Sequence, residues 1–315
     1  MKAMTSFELQ GHRGARGLRP ENTLPAFEVA FDLGVSSIET DVHLTNDGVP
    51  VLIHDARIHS GLCRLRLGGT APDPAHQPAV RSLSLAELRD YRADRNPDPG
   101  RFPRQVATPT PLAQLFAERA DIDPYGVPTL AELFAFAQAY AGQLGAQAGK
   151  TDRQRQKANR LWFDLELKRM PFHADRIGND FQGDAPALLE AQAVRVVRDA
   201  GFVRRTRVRS FDHRSVRAVH QLEPGLVTAV LIAETAPVNP SELVRQAEAR
   251  IYCPDYRFLD LIQIRQLHAE GIPVIPWTVN ESADWLQLLD WGVDGITTDY
   301  PGELAAVLKE RGIDF

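Results

Sequence analysis

The sequence predicts an α/β fold, namely a (β/α)8 TIM barrel with an insertion in its second βα loop. Two observations predict it. Eight β-rich runs alternate with apolar repeats at helical spacing, and one gap in this pattern is far longer than a crossover helix requires. Such alternation is typical of parallel βα units, and eight units in 315 residues indicate a closed barrel. A doubly wound open sheet is the alternative, but the first strand is not followed by the glycine-rich fingerprint of that fold.

The predicted strands are short runs rich in β-branched and aromatic residues, bounded by turn residues. They span residues 7–12, 37–43, 161–168, 205–210, 227–232, 250–253, 273–279 and 295–299. The helices between them have suitable end signals. Asn22 can cap the first helix and Gly34 can end it in a left-handed conformation, while Gly201, Gly271 and Gly292 follow later helical runs.

The gap in the pattern lies between the second and third strands. We interpret residues 56–127 as an insertion within a single domain that spans residues 1–315. The segment is rich in proline, and βα loops lie on the catalytic face of a barrel, so the insertion is expected to shape the substrate pocket. The barrel helix before the third strand is expected from residue 128 onward, and the basic stretch 150–160 is interpreted as a solvated linker.

The composition is that of a soluble globular protein. The formal charge of −5, a pI near 6.0 and the lack of a basic stripe argue against nucleic-acid binding. No apolar run approaches the roughly 18 residues that a membrane span needs. The first residues lack the apolar core of a signal peptide, and Cys63 and Cys253 are too few for a disulfide framework. A cytoplasmic protein with reduced thiols is therefore expected, and the oligomeric state stays open.

Acidic residues cluster near the carboxyl ends of the second and third strands. Because strand side chains alternate between faces, Glu39 and Asp41 share one face, and Asp164 and Glu166 share a face with Lys168. Carboxylates crowded at a barrel mouth repel one another, and a hard divalent cation such as Mg²⁺ or Ca²⁺ removes that repulsion. We therefore predict a metal site here, with a structural ion pair of Glu166 with Lys168 or Arg13 as the alternative.

Two histidines stand at the ends of predicted strands beside these acids. His12 is followed by Arg13, whose guanidinium can hold a phosphate through paired hydrogen bonds. His54 ends a short strand that returns after the Asn-Asp-Gly turn at 46–48, a strong hairpin signal, so it reaches the same mouth. Cleavage of a phosphodiester uses one group that deprotonates the attacking oxygen and another that protonates the leaving alkoxide. A structural His54 capped by Asp55 is the alternative.

Two aromatic residues belong to later strands. Phe211 follows the fourth strand and Trp277 lies near the end of the seventh. Aromatic rings at a barrel mouth can enclose a small polyol or a choline-like head group, and rim packing is the alternative. His43 and His59 are interpreted as surface or local structural residues.

The order of these pieces resembles the glycerophosphodiester phosphodiesterase family. The most specific part is the N-terminal series, with HRG at 12–14, RPENT at 19–23, ETD at 39–41 and HD at 54–55. The family's later pieces follow in order, with DLELK at 164–168, SFD at 210–212, WTVN at 277–280 and GVDGITTD at 292–299. The resemblance covers nearly the whole chain and implies a TIM barrel with an insertion in this same loop.

The resemblance also implies roles for single residues. One divalent cation, Mg²⁺ or Ca²⁺, would bind to Glu39, Asp41 and Glu166, and His12 and His54 would form the acid/base pair.

The substrate side follows from the same resemblance. Arg13 and Lys168 would grip the phosphate, Trp277 would line the glycerol side, and Phe211 is taken as a further substrate-binding residue. Many family members have an amide where this chain has Asp164, and the additional carboxylate is expected to tighten the metal site or to change its metal preference.

The implied activity is the metal-dependent hydrolysis of glycerophosphodiesters to sn-glycerol 3-phosphate and an alcohol. Glycerophosphocholine and glycerophosphoethanolamine are expected substrates. Two modes of attack are open, by water or by the neighbouring glycerol hydroxyl through a cyclic phosphate. The alternatives are a phospholipase D-like or cyclising lyase activity on lysophospholipids with the same residues, and a barrel with a lapsed site that only binds its ligand.

Overall fold

A computed structural model of the chain describes residues 6–68, 73, 77–173, 181–183 and 185–315. Within these residues the strands are β1 (Glu8–Gly11), β2 (Ser37–Leu44), β3 (Pro50–Leu52), β4 (Arg64–Leu65), β5 (Tyr91–Arg92), β6 (Trp162–Leu167), β7 (Thr206–Ser210), β8 (Val227–Ile232), β9 (Ile251–Pro254) and β10 (Gly295–Thr298). The α-helices are α1 (Leu24–Leu33), α2 (Leu85–Leu88), α3 (Pro111–Ala120), α4 (Leu130–Ala141), α5 (Gln143–Gln147), α6 (Asp152–Ala158), α7 (Leu188–Asp199), α8 (His213–Leu222), α9 (Pro240–Gln246), α10 (Leu261–Ala269), α11 (Ser282–Trp291) and α12 (Pro301–Glu310).

A parallel sheet forms the centre of the fold, with its strands in the order β10-β1-β2-β6-β7-β8-β9. These are seven of the eight predicted barrel strands. The short strand β3 returns antiparallel to β2, as the predicted hairpin requires. In the parallel register between β2 and β6, Glu39 lies opposite Asp164 and Asp41 opposite Glu166. The acidic residues of the two strands are therefore neighbours at the carboxyl end of the sheet.

The eighth predicted strand, residues 273–279, lies between β9 and β10 as an extended segment and is not a regular strand. The amide of Ile275 donates to the carbonyl of Tyr252 at 3.0 Å, and the amide of Thr297 donates to the carbonyl of Pro276 at 3.0 Å. The two prolines of the segment have no amide hydrogen, so a continuous ladder cannot form. The prediction of a regular strand is wrong, whereas the α/β class and the TIM barrel are confirmed.

Helices surround the sheet and bury an apolar layer against it. Phe134 of α4 stacks on Phe202 with ring centroids 4.5 Å apart, and both rings meet Phe163 of β6 edge-on. Thr23 caps α1 by accepting a hydrogen bond from the Ala26 amide. The predicted cap at Asn22 is thus one residue too early.

The predicted insertion, residues 56–127, divides into two parts. One part packs a small apolar cluster of its own, including Ile58, Leu88 and Val127, against the β3 hairpin. The other part contains α3, whose Leu112 is fully buried in the main core beside α1. The boundaries of the insertion stay a prediction.

The interpretation of residues 150–160 as a linker is wrong, although most of the stretch is exposed or half-buried. Most of the stretch is helix α6, and the ammonium group of Lys150 lies 2.6 Å from Glu28 and 2.7 Å from Asp32, both on α1. Glu28 also accepts hydrogen bonds from backbone amides at the start of α3. Lys150 is buried because it supplies the positive charge that these acids need.

Cys63 and Cys253 are both buried and unpaired. In the part of the chain that the structure describes, no helix is both long enough and apolar enough to cross a membrane.

Candidate active site

A cavity of about 550 Å³ opens at the carboxyl ends of the barrel strands. Seven of the nine predicted site residues line it, namely His12, Arg13, His54, Glu166, Lys168, Phe211 and Trp277. The other two, Glu39 and Asp41, are buried and contact the lining residues His12, Arg13 and Lys168. The structure therefore brings together all nine residues, whose roles stay predictions.

The loop after β1 takes a sharp turn that places its backbone against Glu39. Arg13 adopts a φ of 49°, a left-handed conformation that is uncommon for a residue other than glycine. Gly14 follows with a φ of 84°, and a Cβ atom there would lie only 2.7 Å from backbone atoms of Ala26. In this conformation the Arg13 amide donates a 3.0 Å hydrogen bond to the Glu39 carboxylate.

Glu39, Asp41 and Glu166 form the one group in the described residues whose ligand atoms could hold a metal ion together. One carboxylate oxygen from each lies within 4.8 Å of the others. The Oε1 atom of Glu39 and the Oδ1 atom of Asp41 are buried and accept no hydrogen bond. Each has a cation nearby, with Arg209 at 3.5 Å from Glu39 Oε1 and Lys168 at 3.4 Å from Asp41 Oδ1. Buried oxygens without hydrogen bonds are costly, and carboxylate oxygens are ligands that Mg²⁺ and Ca²⁺ prefer. The residues present fit a hard divalent ion.

The pKa values of Glu39 and Asp41 are shifted in opposite directions. Burial raises the pKa of Glu39, and the neighbouring charges of Asp41 and Glu166 raise it further. Burial also acts to raise the pKa of Asp41, but Arg13 and Lys168 outweigh it and hold this pKa well below its ordinary value. One acid of the pair is thus driven toward protonation while the other stays ionised.

Asp164 does not join this cluster, and its expected effect on the tightness or the metal preference of the site stays a prediction. Its Oδ2 atom accepts hydrogen bonds from Arg207 Nε and Gln10 Nε2, both at 2.8 Å, inside the barrel. Asp164 lies opposite Glu39 in the register, one pleat before Glu166. It serves as the counter-charge of a buried arginine.

His12 is held by an acid that the sequence analysis did not assign to the site. The Nδ1 atom of His12 lies 2.6 Å from Oδ1 of Asp299, which follows β10. Asp299 is fixed in turn by Asn280, whose Nδ2 donates to its Oδ2 at 2.7 Å. The sequence signal was an acid at a strand end, in the run Thr-Thr-Asp at 297–299.

Burial favours the neutral state of His12, and the contact with Asp299 fixes its tautomer. Burial lowers the pKa of His12 to about 4, although Asp299 acts in the opposite direction. Burial acts to raise the pKa of Asp299, but the His12, Arg16 and Asn280 contacts outweigh it and lower that pKa. A neutral imidazole beside an ionised carboxylate carries its proton on Nδ1, so the lone pair lies on Nε2. That Nε2 atom is 3.7 Å from Glu39.

His54 reaches the cavity from the end of β3, as the hairpin signal predicts. Its side chain is about a third exposed, and Nδ1 lies 2.8 Å from Oδ1 of Asp55. The buried His43 contacts the His54 carbonyl through Nε2 at 3.1 Å, which agrees with the local structural role predicted for it.

The two side chains predicted to bind phosphate, Lys168 and Arg13, form ion pairs with acids of the site in this structure. Lys168 Nζ lies 2.6 Å from Glu166 and 3.4 Å from Asp41. The Arg13 guanidinium lies 2.7 Å from Glu21 and 3.2 Å from Asp41. Burial acts to lower the pKa of Lys168, but Glu166 and Asp41 outweigh it and raise the pKa, so the side chain stays charged.

The remaining walls come from aromatic residues and from the insertion. Phe211 and Trp277 meet edge to face with centroids 5.5 Å apart. His59 and Arg101 of the insertion also line the cavity, together with Leu62, Pro97 and Asp98. Phe102 is fully buried, with the Arg101 guanidinium 5.2 Å from its ring centroid.

Comparisons with known proteins identify the family of the chain. The sequence profile of the "Glycerophosphoryl diester phosphodiesterase family" matches residues 12–303. The chain belongs to this family. It is 26% identical to a glycerophosphodiester phosphodiesterase of Bacillus subtilis over 304 residues, which cover 95% of this chain and 85% of that protein.

Solved structures of the family show the same fold. A putative glycerophosphoryl diester phosphodiesterase from Silicibacter pomeroyi has 27% identity and a TM-score of 0.78, with 100% of this chain and 97% of that chain covered. A phosphodiesterase from Oleispira antarctica, solved in complex with the product sn-glycerol-3-phosphate, has 20% identity and a TM-score of 0.64, with 95% and 96% covered. The predicted class of enzyme, a phosphodiesterase of this family, is confirmed.

Proposed function

We propose that this protein hydrolyses glycerophosphodiesters to sn-glycerol 3-phosphate and an alcohol, with one divalent cation bound by Glu39, Asp41 and Glu166. The observation that carries the proposal is a cavity lined by two histidines, two buried cations and Glu166, which forms a buried three-carboxylate cluster with Glu39 and Asp41. Glycerophosphocholine and glycerophosphoethanolamine are the substrates we propose. The Oleispira antarctica relative with sn-glycerol-3-phosphate supports a product of this kind.

His12 is proposed as the general base. Its imidazole is neutral, its Nδ1–H is held by Asp299 at 2.6 Å, and its free Nε2 is directed to the side of Glu39. A base must be unprotonated at the working pH and fixed in the correct tautomer, and both conditions hold here. It would accept the proton of the attacking oxygen, whether that oxygen belongs to water or to the glycerol hydroxyl.

His54 is proposed as the general acid that protonates the leaving alkoxide. It lines the same cavity but is more exposed than His12, so its ring can exchange protons with solvent between turnovers. Its Nδ1 lies 2.8 Å from Oδ1 of Asp55, and this contact orients the ring.

Lys168 and Arg13 are proposed to hold the phosphate. Both border the cavity, and both form ion pairs with acids of the proposed metal cluster in this structure. With those acids engaged by a divalent ion, the two side chains can direct their hydrogen bonds to phosphate oxygens. The bound ion would supply Lewis-acid stabilisation of the negative charge that develops on the phosphoryl oxygens.

A second candidate is cleavage of lysophospholipids with the same site, and one observation favours it. Exposed apolar side chains occur on four successive βα loops around the mouth, at Phe172, Phe211, Val238 and Phe258. The Val238 and Phe172 side chains are almost completely exposed. Such residues can contact the acyl chain of a lipid substrate.

The two candidates are separated by measuring kcat/KM for glycerophosphocholine and for lysophosphatidylcholine, each with Mg²⁺ and with Ca²⁺. We expect glycerophosphocholine to be preferred at least about tenfold, which corresponds to about 1.4 kcal/mol. The matched variants are Phe172→Ser and Val238→Ser, which should leave turnover of glycerophosphocholine unchanged. A preference for lysophosphatidylcholine that these variants reduce would favour the second candidate, and a lack of turnover of both substrates would contradict the proposal.

A further inference from the structure

Two arginines of β7 point into the barrel in successive layers. Arg207 and Arg209 are both buried, and each has its charge met by acids from other strands. Arg207 contacts Glu8 and Asp164 in the layer farther from the cavity. Arg209 lies in the layer next to the cavity and borders it. The two side chains are therefore chemically alike and differ in their distance from the candidate metal site.

Arg209 joins the candidate metal site to the interior of the barrel. The Nη2 atom of Arg209 lies 3.5 Å from Oε1 of Glu39, the buried oxygen that accepts no hydrogen bond. The Nη1 atom donates to Gln10 Oε1 at 3.1 Å and lies 3.4 Å from Asp164 Oδ2. The guanidinium is thus anchored on one side by two polar groups and faces Glu39 with the other.

The anchor itself is well ordered by hydrogen bonds. Gln10 Nε2 donates to Asp164 at 2.8 Å and to Ser37 Oγ at 3.1 Å, and its Oε1 also accepts from the Thr297 hydroxyl. These bonds fix which end of the amide faces Arg209. The arginine therefore has little freedom to follow a shift of Glu39.

Each acid of the cluster has at least one cation nearby, but these cations differ. Arg13 and Lys168 both contact Asp41, Lys168 also contacts Glu166, and both cations are proposed to turn to the substrate. Among the described residues, Arg209 forms its ion pairs with Asp164 and Glu39. It is the cation that can stay in place when metal and substrate bind.

We propose that Arg209 is a positioning residue that holds Glu39 in its metal-binding orientation, with Asp164 and Gln10 as its anchors. The inference rests on the proposed function, because it assigns Glu39 to the metal. It also gives a role to Asp164, the acid found where many relatives are expected to have an amide.

Two opposite effects must be compared. The charge of Arg209 repels a divalent cation, and Asp164, which lies 3.4 Å from Arg209 and also pairs with Arg207, offsets part of that field. The contact with Glu39 limits the rotation of the carboxylate, and partners that orient metal ligands are typically worth 10- to 100-fold in metal affinity or activity. Orientation is therefore the larger effect, and loss of Arg209 should weaken metal binding.

The test is calorimetric titration of the chelator-treated protein with Mg²⁺ and with Ca²⁺, in the wild type and in Arg209→Met, Arg209→Lys and Arg207→Met. We expect Arg209→Met to weaken metal binding by about 10- to 100-fold and Arg209→Lys by several fold, because a lysine cannot meet all three partners. Arg207→Met is the matched control, since it removes an equally buried charge from the same strand and should change affinity less than about threefold.

The outcomes are distinguishable from failure of the proposed function. A wild type that binds neither ion contradicts the metal site itself and this inference with it. A wild type that binds the ion while folded Arg209→Met binds it equally well or more tightly overturns only the role of Arg209. If Arg207→Met weakens metal binding as much as Arg209→Met does, the role of Arg209 is also overturned. The loss of affinity would then follow from removing any buried charge of β7. If Arg209→Met does not fold, unchanged affinity in Arg209→Lys contradicts the inference.

Discussion

Replacement of Glu39 by glutamine is expected to lower turnover of glycerophosphocholine by about 10³-fold, which corresponds to roughly 4 kcal/mol of transition-state stabilisation. The change keeps the shape of the side chain and removes one of three negative ligands from a buried cluster. An amide oxygen still accepts the Arg13 amide, so the turn after β1 should be kept. The measurement is release of sn-glycerol 3-phosphate at saturating substrate and divalent ion.

The control for this prediction is Glu303→Gln. Glu303 lies on α12, is half exposed and pairs with Arg104 outside the cavity. Its replacement should leave turnover within about twofold of the wild type, as for most surface changes. Thermal unfolding of both variants shows whether the fold is intact. Near-normal turnover in folded Glu39→Gln would contradict the assignment of Glu39 to the metal.

Asp299→Asn is expected to lower kcat by about 10²- to 10⁴-fold with little change in KM. The reason is the tautomer of His12. Asn280 donates a hydrogen bond to Oδ2 of Asp299 at 2.7 Å, so an asparagine at 299 would keep its oxygen there and turn its NH2 group to His12. His12 Nδ1 would then have to accept, its proton would move to Nε2, and the base would lose its lone pair.

A second acid–histidine pair in the same chain provides the control. Asp294 lies 2.8 Å from Nε2 of His268, before β10 and away from the cavity residues. Asp294→Asn should leave kcat unchanged, even if it lowers the stability of the segment that it joins. A kcat for Asp299→Asn within a few fold of the wild type would show that Asp299 does not set the state of His12.

The alternation of strand side chains predicted an acidic cluster at the strand ends, because its acids lie on two neighbouring strands and register sets their distance. The choice of Glu166 rather than Asp164 as its third member came from the family resemblance. Asp299 could not be assigned to His12 in the same way. The two residues are 287 positions apart, and they meet only because β10 pairs with β1 when the barrel closes. Closure is a property of the whole sheet and leaves no local pattern at either residue.

Some local sequence signals are compatible with more than one structure, and tertiary contacts determine which one forms. Asn22 suits a helix cap, but its amide donates to Asp41 at 2.9 Å and Thr23 caps the helix instead. Lys150 belongs to a basic stretch that looked solvated, but two acids of α1 require its charge. In both cases the sequence shows the polar group, and only the packed fold shows its partner.

The measurement that tests the account most directly is release of sn-glycerol 3-phosphate from glycerophosphocholine with Mg²⁺, with Ca²⁺ and with a chelator. We predict turnover with at least one of the two ions, loss of turnover with the chelator, and its return when the ion is added back. Turnover that continues unchanged in the chelator would contradict a catalytic ion at Glu39, Asp41 and Glu166. Folded protein without turnover in any of the three conditions would contradict the proposed hydrolysis of glycerophosphocholine.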